Sequence, residues 1–510
     1  MTDTSANNKR IAKNTMLLYV RQIFTLCLAL YTSRLTLQVL GATDFGIYAA
    51  VGGFTALLSI LTNSMSSSTQ RFITFELGRG NQEKLKTVFN ASVQIHTILA
   101  LILIVLAETI GVWFLYNHLT IPAERIETAF WIFQISTLGC ICSILNVPNS
   151  ASIIAHEDMG TFALFSILDA ILKLLSVLML FVITWDKLIV YAICLLIIQI
   201  INQTASFIFC RIKYPEVRFQ LSFNYPIIRQ MFGLAGWNIV SNMATMGFIQ
   251  GTNLLLNIFF GPIMNAAYTV AMQAYSGLRS FCSSFQLAAN PQIVKLYSSG
   301  EIEKMHNLLM MVCKMSFFLI FFLSLPFIIN AEFILSLWLV EVPEHSVAFF
   351  ILLLIYAYID VLVYPMGIAA QATGNVKHYN LLTSIATLAI LPISYAGYLL
   401  GLIAESIYII AIIMSFIGIP LRLYCLKRLT GFNSQEFMKQ VFIKIFYISI
   451  IATLIPLLLH YLLKDNLWTV AINFIVSFAS AGITIYYLGL STSERIQVDK
   501  GVKKVISKLH

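Results

Sequence analysis

A chain of 510 residues that is 59% hydrophobic and 11% charged falls well short of the roughly one-quarter charged residues of a soluble domain. Apolar runs of about 20 residues recur along its whole length, which excludes a string of soluble domains and leaves one polytopic helical bundle. The net charge of +9 is spread over short loops between those runs, so it reads as a set of topology signals and not as a nucleic-acid surface.

The first segment, MTDTSANNKRIAKNT, sets Lys9, Arg10 and Lys13 ahead of an apolar run with no small-residue cleavage site, so a retained span is predicted near 15–38. Arg21 lies near its inner end, where the long stem reaches water. Arg34 lies near its outer end, four residues before Gln38 on the same helical face, and either lines a cavity or snorkels to the surface. The stretch LGATDFGIY (40–48) returns the chain, with Gly41 and Gly46 permitting a tight turn. That leaves Asp44 in outer water with no need of a buried partner. The span near 46–69 ends in the polar SMSSSTQRF and is followed by the loop GNQEKL (80–85).

Spans follow near 88–115, 128–148, 161–184 and 188–210, with the acid Glu108 inside the first of them. In the third, Asp169 precedes Lys173 by four residues, the acid-first order that favours an intrahelical pair. A self-neutralising pair and a gated cavity pair both fit.

Eight further spans are predicted near 231–257, 263–285, 308–331, 347–371, 379–400, 405–426, 441–463 and 468–489, giving fourteen in all. FGPIMNAAY (260–268) repeats LGATDFGIY at an offset of 220, placing Gly41 on Gly261, Gly46 on Ala266 and Tyr48 on Tyr268, although Met264 stands in the place of Asp44. GEIEKM (300–305) repeats GNQEKL at the same offset. A register of 217 puts Pro148 on Pro365 and AHED (155–158) on ATGN (372–375). Two six-span lobes are therefore expected, 1–220 and 221–430, followed by two extra spans and a basic tail in 431–510. An even number of spans per lobe makes the pseudo-two-fold axis run along the membrane normal, with a cleft between the lobes.

Charges inside these spans are expensive, at least ~3 kcal/mol at mid-bilayer, so each needs a cavity, a partner or an interface. Arg279 sits beside Gln273, Ser276, Ser280 and Ser283 in a polar stripe too long for a lipid face. Lys314 lies near an inner end and is expected to snorkel. Asp360, in mid-span, has no basic residue three or four positions away. It fits a proton or sodium site, a pair with a cation on another helix, or a protonated spectator. Pro148, Pro365, Pro392, Pro420 and Pro456 interrupt spans and mark hinge positions.

With both termini inside, the inner loops hold 24 Lys and Arg against Arg125, Lys187 and Lys464 outside, the asymmetry of the positive-inside rule. Trp113, Trp131, Trp185, Trp338 and Trp468 fall at outer ends. The eight cysteines form no CxxC pair, so no metal and no disulfide framework is predicted. No GxxxxGK[ST] phosphate loop is present. No Ser-His-Asp arrangement survives inspection, and the longest outer loop, 332–346, is small for a membrane polymerase or ligase, so catalysis is not expected.

The AKNT before the first span, Arg34, the LGATDFGIY turn, SMSSSTQRF and GNQEKL together resemble the polysaccharide transporters of the multidrug/oligosaccharidyl-lipid/polysaccharide exporter superfamily. The fourteen-span count is similar to that of its lipid II flippase branch. What the resemblance implies is a V-shaped pair of lobes that open alternately and carry undecaprenyl-pyrophosphate-linked oligosaccharide (O-antigen, capsule or a related polysaccharide) across the bacterial inner membrane. An anionic diphosphate cargo needs a cationic substrate cleft, for which Arg34, Arg279 and Lys173 are the candidates; the buried acids Asp360 and Asp169 are the candidates for ion coupling. No cofactor is expected. The partners implied are the lipid-linked oligosaccharide, membrane lipids, and the polymerase and glycosyltransferases of the same pathway, with no nucleic acid. The rival inside the superfamily is a cation-coupled multidrug antiporter, which should line its lobes with carboxylates.

Overall fold

A computed structural model describes residues 2–117, 121–218, 223–338, 342–462, 466–492, 494–496 and 499; several side chains of the first helix, among them those of 2–9 and 49–61, lie outside the description. Lys464 and the basic tail from Lys500 onward also fall outside it. The described chain is helical throughout, which follows from the apolar composition: in lipid each backbone N–H and C=O must be bonded within its own segment.

The order is α1 (Thr2–Arg79), α2 (Gln82–Leu106), α3 (Val112–Asn117), α4 (Ile126–Ala155), α5 (Met159–Met179), α6 (Lys187–Lys213), α7 (Tyr225–Ser298) and α8 (Ile302–Ile329). Then come α9 (Ala331–Trp338), α10 (Ser346–Thr373), α11 (Lys377–Leu399), α12 (Ser406–Thr430), α13 (Ser434–Phe437), α14 (Ile443–Leu462) and α15 (Leu467–Thr484). Among the described residues twelve helices are long and apolar enough to cross a membrane, where the sequence predicts fourteen spans. The difference is continuity: α7 counts once although it breaks at Gly261, and the limb of α1 beyond Gly41 runs through side chains outside the description. Helix starts are fixed by side chains that accept orphan backbone N–H groups, Asn81 for α2, Asp186 for α6, Asn224 for α7 and a reciprocal Asn466–Thr469 box for α15.

The chain forms two compact units. The first comprises 1–243, 287–301 and 374–376; the second comprises 244–286, 302–373 and 377–510. The division falls within α7 and not at residue 220, and 431–510 belongs to the second unit. The first unit is built on Ile73, Leu85, Ile95 and Met231, the second on Phe349, Phe350, Leu354 and Ile407, all essentially inaccessible to solvent.

Features of one sequence repeat recur in the other, at or within two residues of the offsets read from the sequence. Gly41 (φ 77°, ψ 170°) and Gly261 (φ 80°, ψ −176°) carry the same break, each between two helical limbs. The Tyr48–Tyr191 ring pair, at 5.3 Å, matches Tyr268–Tyr408, at 5.8 Å. The pair Arg125–Asp186 matches His345–Glu405. Glu157 (φ 60°) stands where Gly374 (φ 78°) stands in the second copy.

The Gly41 and Gly261 conformations lie in a region open essentially to glycine alone, and a non-glycine residue held there costs of order 1–3 kcal/mol. No neighbouring atom lies within 4 Å of a Cβ placed at either, so the penalty is one of backbone strain alone. Gly41→Ala and Gly261→Ala are each expected to lower the melting temperature of the purified protein. Gly46→Ala, at a position with room and an ordinary φ, should leave it unchanged or raise it. Equal melting of all three would contradict this account.

Candidate functional site

A cavity of about 670 Å³ opens inside the first unit, walled by α1, α4, α5 and α6. Its charged groups are Arg21, Asp169 and Lys173, and most of the remaining polar wall is hydroxyl or amide: Thr25, Ser33, Asn146, Ser150, Gln199 and Asn202. Tyr48 and Tyr191 close one side. A second space of about 470 Å³ adjoins it, sharing Tyr48, Lys173 and Gln199.

Helical spacing brings these groups together. Asp169 and Lys173, one turn apart on α5, form an ion pair at 2.7 Å. Asn202 on α6 donates to the other Asp169 oxygen at 2.8 Å. The one carboxylate that lines the cavity among the described residues is thus occupied by a cation and an amide, while Lys173 keeps donors to spare. Arg21, expected to snorkel, instead lines the cavity, donates to Gln22 at 3.0 Å and faces the Phe162 ring at 5.3 Å. Arg21 Nε, Asn146 Oδ1 and Asn202 Oδ1 are buried without hydrogen-bond partners among the described residues, so this polar wall is not satisfied internally.

Arg34 is exposed and does not line this cavity, although Ser33 beside it does. Asp44, read as needing no partner, has one: Arg125 bridges Asp44 and Asp186, the latter at 2.5 Å. The guanidinium joins the break in α1 to the start of α6. The turn alone does not require an acid, but this bridge uses it. Glu108 accepts from Gln134 at 3.2 Å.

Arg279 and Asp360 meet in the second unit. Arg279 Nε donates to Asp360 at 2.9 Å and Nη1 donates to Ser283 at 2.8 Å. Of the three readings open for Asp360, the pair with a cation on another helix is the one observed. Ser276 and Ser280 of the polar stripe bond back to their own helix. Lys314 does not snorkel: it is buried and donates to Glu494 at 2.8 Å.

One cluster carries no sequence signal. Glu157, at the corner between α4 and α5, accepts from Arg10 Nε at 2.6 Å and Gln292 Nε2 at 2.5 Å on one oxygen, and from Lys295 Nζ at 2.6 Å on the other. Asn14 donates to its backbone carbonyl at 3.1 Å. Burial pushes the Glu157 carboxyl up, but the hydrogen bonds and charges of Arg10 and Lys295 outweigh burial and hold it below the ordinary carboxylate value. Its contribution to stability is present above the ordinary carboxylate range and lost as pH falls through the depressed value, so the cluster is intact at neutral pH. The neighbouring His156 and Asp158 are engaged elsewhere, with Glu216 and Lys213.

No protein-family model matches the chain. A curated relative, the uncharacterized membrane protein EpsK of Bacillus subtilis (strain 168), is 21% identical over 286 residues, and the match spans 56% of each chain. Solved structures align over most of the length. A MATE transporter in its straight conformation gives a TM-score of 0.72 at 16% identity, covering 84% of this chain and 97% of that one. An outward-facing multidrug resistance MATE family transporter of the MOP superfamily gives 0.71 at 14%, covering 83% and 96%. A MOP superfamily transporter from Pyrococcus furiosus, described as having a binding pocket of reversed polarity, gives 0.69 at 15%, with the same coverage. Over more than four-fifths of its length, the chain has the fold of MATE transporters of the MOP superfamily.

Proposed function

We propose that the chain is a flippase that moves undecaprenyl-pyrophosphate-linked oligosaccharide from the inner to the outer face of a bacterial inner membrane by alternating access, with both termini cytoplasmic. The observation that carries this reading is the chemistry of the first-unit cavity: two cations against one acid, on a wall of amides and hydroxyls. A diphosphate needs cations to replace its water, and a sugar needs donors and acceptors in number. Lys173 and Arg21 serve the first demand, Asn146, Gln199 and Asn202 the second. Arg279 adds a cation in the second unit, and Arg34 an exposed one. The acids Asp169 and Asp360, each held by a cation, remain the candidates for ion coupling. A polymerase and glycosyltransferases would act on the same lipid-linked units.

The second reading, a cation-coupled multidrug antiporter, is favoured by the fold it shares with a multidrug resistance transporter. A cationic drug calls for free carboxylate, and the one acid lining the cavity is already engaged by Lys173 and Asn202. Reconstitution in proteoliposomes separates the two. Lys173→Gln and Asn202→Leu are expected to slow outward transfer of a lipid-linked oligosaccharide about 10- to 100-fold, the equivalent of losing one hydrogen bond to a charged group at about 1.5–3 kcal/mol. Arg34→Ala and Arg279→Ala should also impair it. Undiminished transfer in these variants, or efflux of an organic cation with no oligosaccharide transfer by the wild type, sinks the proposal.

A further inference from the structure

Two layers of side chains adjoin the first-unit cavity beyond Arg21 and Phe162. Along α1, the positions Arg10, Asn14, Leu18 and Arg21 follow at helical spacing and share one face. Arg21 lines the cavity. One turn back, Leu18 is fully buried with Met159 of α5 and Ala288 of α7, with Ile154, Phe162 and Leu287 against them. Phe162 lines the cavity too, so this apolar plug borders it directly. A further turn out, Asn14 and Arg10 grip Glu157, and on α7 the same progression from Ala288 leads to Gln292 and Lys295, which grip the same carboxylate.

We propose that Glu157 and its donors form a latch over this plug, and that release of Gln292 and Lys295 by the carboxylate lets the last turns of α7 withdraw and opens the cavity at this end.

Three observations favour a latch over a permanent staple. The acceptor is a single residue: both Glu157 carboxylate oxygens are taken, and one substitution removes the side-chain bonds to Arg10 of α1 and to Gln292 and Lys295 of α7 together. On release the cations can be hydrated first, because the Arg10 side chain is already 51% and that of Lys295 21% exposed, while Glu157, 1% exposed, is the group that opening brings to water. The corner also departs from its repeat. In the second copy the position is Gly374, against which Arg71 Nη2 would lie 3.1 Å from a Cβ; in the first, a non-glycine residue is kept in a left-handed conformation, whose strain the three donors hold in place.

The proposal does not depend on the cargo, and its test reads accessibility with no cargo present, so its failure is distinguishable from failure of the flippase reading. Thr25, on the cavity wall, is replaced by cysteine in a chain whose native cysteines are substituted, and the protein is placed in sealed vesicles of defined orientation. A water-soluble maleimide is applied from the side of the α4–α5 corner or from the opposite side. Glu157→Gln is expected to raise the labelling rate at least about 10-fold from the corner side and not from the other, the size expected for a lost charge-assisted bond. Lys295→Gln, at a position less demanding of the fold, should act in the same direction, and Leu18→Ala should raise labelling with the latch intact. Unchanged labelling in Glu157→Gln and Lys295→Gln, or an equal rise from both sides, overturns the proposal. Should the cysteine-substituted chain fail to fold, hydrogen exchange on the native protein decides: faster exchange confined to 10–18 and 288–298 in Lys295→Gln supports the latch, and no change or a uniform rise overturns it.

Discussion

Asp360→Ala is expected to destabilise the protein by about 2–4 kcal/mol, and combining Asp360→Leu with Arg279→Met should recover most of that loss. Removing one partner of a buried pair leaves an uncompensated charge, which costs about 3–5 kcal/mol when the pair is fully buried, whereas replacing both partners by apolar residues of similar volume is often neutral. Arg279 is 16% and Asp360 36% exposed, so the penalty falls toward the lower part of that range. Melting of the purified variants measures it. The double variant has a second use, since it separates the structural role of the pair from any role of either residue in transport. If Arg279 serves the cargo, the double variant melts like the wild type and transfers oligosaccharide poorly. If it transfers normally, Arg279 is an ion-pair residue only and leaves the binding set.

Residues whose chemistry is decided within one helix were legible in the sequence. The acid-first spacing of Asp169 and Lys173 pointed to their pair, and the polar stripe around Arg279 marked the face on which that residue meets Ser283 and Asp360. The glycine pattern at 41 and 261 marked two equivalent breaks, because a backbone break depends on the residue that sits at it. Partnerships across the fold were not legible. Asp360 pairs with a cation 81 positions away and Glu157 with donors 135, 138 and 147 positions away. Hydrophobic periodicity says which face of a helix is polar, and nothing in it says which other helix that face will meet. Arg21 and Lys314 were misjudged for the same reason: distance from a span end suggested water, while packing supplied a cavity to one and a carboxylate to the other.

That distinction bears on function. The cavity residues contributed by α5 and α6 come from segments whose local pattern was readable, so the polar character of the site could be anticipated. Its closure could not. Leu18, Met159 and Ala288 are ordinary apolar residues in their own helices, and they pack together where Glu157 also bonds α1 and α7 to the α4–α5 corner. Long-range ion pairs over a thin apolar layer are specific contacts that water can replace, which a continuous core is not.

Glu494→Ala is expected to cost about 3–5 kcal/mol, the largest effect of any single substitution considered, because it strands a buried ammonium. Lys314 Nζ reaches Glu494 at 2.8 Å with the two side chains only 9% and 13% exposed, and the same Glu494 oxygen accepts from the Ser491 backbone N–H at 2.7 Å. Burial pushes the Glu494 carboxyl up, but the hydrogen bond and charge of Lys314 outweigh burial and hold it below the ordinary carboxylate value. The stabilisation is therefore complete at neutral pH and lost on acidification through the depressed value. Wild-type melting should fall more steeply below about pH 4.5, the ordinary carboxylate range, than that of Glu494→Gln combined with Lys314→Met. The link also joins the segment after α15 to α8, and Lys314→Met alone should be milder than Glu494→Ala, because the carboxylate it leaves keeps the Ser491 backbone N–H as a donor. Equal losses for the two single variants would show that both groups are re-solvated and that the pair contributes no more than a surface bridge.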